Sequence, residues 1–145
     1  MLVMYILNYI NSLLTIAQHK VYLKYVKVLE PFDLTPSQYE VLNYIWVHKD
    51  QITTPKNLAD FLSLDFTSVS RMLDRLQKKD LIDCALNETN HRRIKVTTTT
   101  KSDDMKNNVQ KAVDALNKEI SKDFTKKNND TFMKMLLKIG DIEEC

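Results

Sequence analysis

Hydrophobic positions along this chain fall mostly into helical stripes, with one short stretch of alternation. From about residue 4 to 29, Leu7, Ile10, Leu14, Ala17 and Val21 recur at helical spacing, and Ile6, Leu13, Ile16 and Leu23 widen the stripe. Pro31 ends this helix, because proline disfavours helical backbone in the residue before it. A helix this apolar needs cover on more than one side, which suggests contact with a second subunit. In "LTPSQYEVLNYIW", Thr35 is the expected N-cap and Pro36 takes the first helical position, where a missing N–H costs nothing. Tyr39, Val41, Leu42, Ile45 and Trp46 give that helix its buried face. "TTPKNLADFL" repeats the start signal with Thr54 and Pro55, and offers Leu58, Phe61 and Leu62 to the core.

A short "SLD" turn leads to "FTSVSRMLDRLQKKDLI", residues 66 to 82, which reads as a helix followed by the start of a strand. Asp65 is its expected N-cap. Phe66, Val69, Leu73 and Leu76 share one face, with Met72 at the border. Thr67, Ser68, Arg71, Asp74, Arg75 and Lys78 gather on the other. An ordinary surface helix would favour Glu, Lys and Gln, because Ser and Thr are poorer helix formers. Short hydroxyls instead let a helix end approach phosphates and base edges, and Arg can fork onto guanine. Two short helices joined by a tight turn, the second polar at its start, match helix-turn-helix organisation.

The alternation follows. Ile82, Cys84 and Leu86 lie on one side of "LIDCAL", and Ile94 and Val96 on one side of "IKVTTTT". "NETNHRR" between them is a turn, so the pair is a hairpin with His91, Arg92, Arg93 and Lys95 near its tip. A plain solvated hairpin is the simpler reading of this piece alone. After Thr100 a long helix carries Met105, Val109, Ala112, Val113, Leu116 and Ile120 on one face. A last helix beyond "KKNN" holds Phe132, Leu136, Leu137 and Ile139. The terminal helices offer more apolar face than the small central module can cover.

At 145 residues the chain is long enough for one domain with a real core. Net charge is only +2, but its distribution is uneven. Residues 66–101 hold eight Lys or Arg against four acids. All four arginines (Arg71, Arg75, Arg92, Arg93) lie there, in a chain with 17 lysines. The planar guanidinium suits bidentate contacts to phosphate and bases better than a lysine does.

The same sequence argues against most chemistry. The single glycine, Gly140, leaves no P-loop, Rossmann fingerprint or nucleophile elbow. His19, His48 and His91 are isolated from acids at ligand or triad spacing. Cys84 and Cys145 belong to no metal-binding pattern, and a reducing cytoplasm fits them. No enzyme, cofactor or metal site is expected. The N-terminal stretch has no basic residue before Lys20 and no cleavage pattern, and Asn8, Asn11 and Ser12 interrupt it short of a membrane span of ~20 residues.

The order of elements resembles the MarR family of winged-helix transcription regulators over nearly the whole chain. "LTPSQYEVL" (34–42), "TPKNLADFL" (54–62), "TSVSRMLDRLQKKDLI" (67–82) and "NHRR" (90–93) carry the resemblance, the central block most specifically. The chain departs from the family pattern at Asp80, where the family has Gly, and at Cys84, where it has Arg. It departs again at Asn90, where the family has an Asp that fixes the wing arginine, and at Thr98, Thr99 and Ser102, where the family has Leu-Thr and later Gly. Asp80 can take a left-handed turn at some cost. Asn90 implies a looser wing.

The resemblance implies a mainly α fold with a small β-hairpin wing. Residues 1–33 would be an N-terminal dimerisation helix, 34–101 the winged helix-turn-helix module, and 102–145 the C-terminal dimerisation helices. It implies a cytoplasmic homodimer on a near-palindromic double-stranded DNA operator, acting as a repressor. Carried over by position, Thr67, Ser68, Ser70, Arg71 and Arg75 contact DNA from the helix, and Arg92 from the wing with Arg93 beside it. Many family members bind a small, often phenolic, effector, and His19, Tyr22, Tyr25 and Tyr39 lie in segments that could line such a site. Peroxide sensing through an N-terminal cysteine is disfavoured, since no cysteine precedes Cys84. Two alternatives are a dimeric adaptor whose winged helix binds protein, and a metal-dependent regulator or enzyme.

Overall fold

A computed structural model describes residues 9–143. In chain order it contains α1 (Ile10–Leu29), a 3-10 turn (Glu30–Phe32), α2 (Pro36–Val47), α3 (Pro55–Leu62), α4 (Phe66–Lys78), β1 (Ile82–Leu86), β2 (Arg93–Thr98), α5 (Thr100–Ile120) and α6 (Lys126–Ile139). The expected start of the first helix at residue 4, with Leu7 and Ile6, lies outside the described residues, as does Cys145.

Local signals place the helix starts. Thr35, Thr54 and Thr99 each close a capping box: the threonine hydroxyl accepts an N–H three residues on, and Gln38, Asn57 and Ser102 respectively return a bond to the cap's own N–H. Two orphan donors are satisfied at each of these ends. Asp65 caps α4 and Thr125 caps α6. Asp80 takes the left-handed conformation, φ 58°. The Leu81 N–H then reaches the Leu76 carbonyl at 3.0 Å, so α4 closes on an aspartate at the position glycine most often takes after a helix.

The core sits in the middle of the chain. Leu42, Leu58, Val69, Leu73, Leu76, Ile82 and Val96 are fully buried together, joined by Leu29 of α1 and Val109 of α5. β1 and β2 pair antiparallel from Ile82 opposite Thr98 to Leu86 opposite Arg93, with an irregularity at Ala85 and Leu86. Thr53, just before α3, adds a short third rung, its carbonyl accepting the Val96 N–H at 2.8 Å. The hairpin is thereby fixed to the module on one side.

Two expectations about buried faces need correction, and one about open faces is met. Phe61 and Phe66 are exposed, although their spacing puts them with Leu58 and Val69. They stand at the edges of their helices' apolar faces and are covered on one side only: Phe61 meets the Tyr44 ring of α2 at 4.9 Å, and Phe66 lines an open cavity beside the wing. Ile94 is also exposed, although it alternates with the buried Val96, because it lies nearer the hairpin tip, away from the core. α1 buries only Leu29 of its long stripe, and α6 buries no residue at all.

Candidate nucleic-acid interface

The α4 helix is held by its apolar side. Val69, Leu73 and Leu76 anchor it in the core, and the Asp65 cap sets where it begins. Its opposite side therefore faces outward. Thr67, Arg71 and Arg75 are exposed, and Ser68 and Ser70 half-buried. Arg71 and Thr67 lie near the middle of the exposed face, with Ser70 on the flank toward the wing and Ser68 on the far flank.

Both serines have partners. Ser68 donates its hydroxyl to Asp65 Oδ2 at 2.9 Å, while its N–H donates to Oδ1 at 2.8 Å. These bonds hold the Asp65 carboxyl below its usual value, the backbone N–H of Ser68 most and its hydroxyl next. Ser70 accepts from Arg93 Nη1 at 2.8 Å.

The wing places its two arginines differently. Successive strand residues point to opposite sides. Arg92 precedes β2 and is exposed. Arg93 turns inward, and its guanidinium forms an ion pair with Asp74 as well as the bond to Ser70. The wing is thus clasped to α4. The looser wing expected from Asn90 is offset by this clasp and by the turn itself. The Asn90 side-chain oxygen accepts the Arg92 N–H at 3.0 Å, and the Arg92 carbonyl accepts the Asn87 N–H at 2.7 Å. Sequence reading missed Asp74 as the anchor. The available signal was its spacing: Asp74 follows Ser70 by four residues, so both project from one side of α4.

Between α4 and the wing lies a cavity of about 420 Å³, lined by Phe66, Ser70, Leu73, Cys84, Arg92 and Arg93 among others. Burial pushes the Cys84 thiol above its usual value, against the opposing pull of the Arg93 guanidinium. The thiol is therefore protonated at neutral pH.

Of the four residues expected near an effector, two come together. The rings of Tyr25 and Tyr39 meet edge to face at 5.7 Å, and Tyr25 donates its hydroxyl to Glu40 Oε1 at 2.8 Å. They line a cavity of about 250 Å³ between α1, α2 and α5, with Val113 and Leu116 opposite. Burial, then the Glu40 charge, raises both phenols, Tyr39 to about 12. Tyr22 lies elsewhere, in a groove beside Asp33 and Lys79. His19 is exposed on α1 and lines none of these cavities. Glu40 was not singled out from the sequence, since a lone acid on a helix resembles any solvated one.

Among the described residues no helix is long and apolar enough to cross a membrane, and no three His, Cys, Asp or Glu side chains cluster as a metal site would require.

Comparison with known proteins bears on this geometry. Residues 34–94 match the family model described as the MarR family. A MepR–DNA complex from S. aureus superposes with a TM-score of 0.79 at 22% identity, covering 92% of this chain and 95% of that one. The reduced form of MarR from E. coli gives 0.71 at 27% identity, covering 90% and 96%. A cysteine-to-serine mutant of E. coli MarR complexed with operator DNA gives 0.70 at 29% identity, covering 87% and 92%. No curated protein matches the chain.

Proposed function

We propose that this chain, whose residues 34–94 match the MarR-family model, is a transcription regulator that binds double-stranded DNA as a homodimer in the cytoplasm. One observation carries the reading. The exposed side of α4, with Thr67, Arg71 and Arg75, and the exposed Arg92 of the wing lie on a fold shared with a MarR that is complexed with operator DNA. In this reading α4 enters the major groove, where Arg71 forks onto a guanine, and Arg92 reaches a flanking minor groove. Arg93 serves from behind, holding the wing to α4. The terminal helices of residues 1–33 and 102–145 join two copies, so the operator is near-palindromic, with half-sites centred about one helical turn, ~10 bp, apart. The regulator represses by occupying its operator.

A second element of the reading is an effector site at Tyr25, Tyr39 and Glu40. It is supported by the cavity that touches α1, α2 and α5 together, since a small phenolic molecule seated there would alter how the terminal helices carry the module.

Selecting bound sequences from random duplexes with the purified protein tests the main reading. A near-palindromic site should emerge, and its affinity should fall steeply between ~50 and ~200 mM salt as phosphate contacts release counterions. Arg71→Ala should cost ~1–3 kcal/mol on that site and much less on scrambled DNA. Binding indifferent to salt and sequence would instead favour a protein-binding adaptor.

A further inference from the structure

Two hydroxyls on α4 have lost the ambiguity serine normally has. A free hydroxyl can donate or accept. Ser68 Oγ lies 2.9 Å from Asp65 Oδ2, and an ionised carboxylate can only accept. Ser68 therefore spends its one proton on Asp65 and turns lone pairs outward. Ser70 Oγ lies 2.8 Å from Arg93 Nη1, and a guanidinium can only donate. Ser70 therefore accepts there and keeps its own proton free. The two sit on opposite flanks of Arg71, one polarised by the helix's own cap and the other by the wing.

The major groove answers this difference. Cytosine N4 and adenine N6 present amino donors, whereas guanine O6 and thymine O4 present acceptors, and phosphate oxygens accept as well. An acceptor-only hydroxyl beside a fully exposed carboxylate repels the second group and suits the first.

We propose that Ser68, held by Asp65, is a specificity-determining residue that selects an exocyclic amino group, on adenine or cytosine, at one base of each half-site. Ser70, which retains its proton, serves an acceptor and carries no such choice. This rests on the DNA-binding reading above and goes beyond it, because it names the base chemistry at one position and the residue that sets it.

Asp65→Asn tests it without removing the cap. Asn caps a helix about as well as Asp, and its oxygen can still accept the Ser68 N–H. Its amide nitrogen then replaces the second oxygen. That nitrogen only donates, so Ser68 must accept from it and swing its proton outward. Selection from random duplexes is run on the wild type, Asp65→Asn and Ser68→Ala, with a thermal melt to establish that each variant is folded. The wild type should prefer A or C about fivefold at one position of each half-site, the worth of one hydrogen bond. Asp65→Asn should shift that position toward G or T and leave the others alone. Ser68→Ala should flatten it.

A purely electrostatic role for Asp65 predicts something else: removing its charge would tighten binding to every sequence equally. If both variants select the wild-type site unchanged, the assignment of Ser68 is overturned while DNA binding stands. If the wild type selects no sequence, the DNA reading falls and the assignment with it.

Discussion

The α1 and α2 helices lie next to each other in the chain and differ sharply in what they do with their apolar residues. In the 12 residues of α2, Pro36, Gln38, Tyr39, Val41, Leu42, Ile45 and Trp46 are all buried. In the 20 residues of α1, Leu29 alone is. Ile10 is 68% exposed and Leu23 52%. The same contrast recurs at the other end, where Met133, Met135 and Ile139 of α6 lie open. The winged-helix module closes its own core, while the terminal helices present apolar faces left open among the described residues. Exposed faces of this extent mark surfaces meant for a partner. The difference teaches that the module's stability resides within one copy, whereas that of the ends, on the homodimer proposed above, is completed by another.

The largest effects should separate the two regions directly. Leu42→Ala in the module core should cost ~2–5 kcal/mol, since it removes buried methyl groups and leaves a cavity. Leu23→Ala, on a face open within one copy, should cost well under half of that in a urea titration run at a protein concentration low enough to separate the copies. Equal losses would erase the distinction.

Next in size is assembly. If the open faces are an interface of the obligate kind, it buries roughly 2,000 Å² or more. Pairing Leu23→Lys with Ile139→Lys should then halve the molar mass seen by light scattering at micromolar concentration. A wild type that already scatters as a folded 17.0 kDa monomer removes the partner from the explanation.

Within the module, the two wing arginines should behave differently. Arg93→Ala strips Asp74 and Ser70 of their partner, and a loss of about 1 kcal/mol is expected for this half-exposed ion pair. Arg92→Ala should leave the melting temperature nearly unchanged, yet lower the salt slope of DNA binding by about one. A melt and a salt titration on each variant distinguish them. If Arg92→Ala proves the more destabilising, the wing is oriented differently from this structure.

The smallest effects concern pH. Asp103 is raised by its burial but lowered more by hydrogen bonds from Thr98, Lys49 and Trp46 together with the Lys49 charge, so its carboxyl ends below 3.8. The stability it adds is present above that value and is lost as pH falls through the lower folded one. Tyr39 has the opposite sign. Its contribution is whole below pH 10.0 and fades as pH rises through about 12, because the unfolded chain ionises first. Both should appear as shallow losses at the two ends of a stability–pH curve, and Tyr39→Phe should lessen the alkaline one, leaving the part due to Tyr25.

Much of this was legible before any coordinates. Thr35–Pro36, Thr54–Pro55 and Asp65 announce three helix starts because capping acts within three residues of sequence. Val69, Leu73 and Leu76 announce the buried side of α4 because periodicity is a local property of the helix. Asp80 could be read as a turn residue, since its left-handed backbone depends on its own side chain more than on distant neighbours. Phe61 and Phe66 mark where this reasoning stops. Periodicity says which residues share a face, but not how far the neighbouring elements extend over it.

By itself, then, the sequence determined the order of the elements, the starts of α2, α3 and α4 and the polar side of α4, since each follows from interactions among residues a few positions apart. Tertiary structure alone decided the rest. Arg92 and Arg93 are adjacent and chemically identical. Only the approach of Asp74 and Ser70, 19 and 23 residues away, turns one inward as a clasp and leaves the other free. Tyr25 and Glu40 are equally unremarkable until α1 packs on α2 and brings the phenol within 2.8 Å of the carboxylate. A pairing between distant elements depends on how their backbones pack, and no short stretch of sequence encodes that distance.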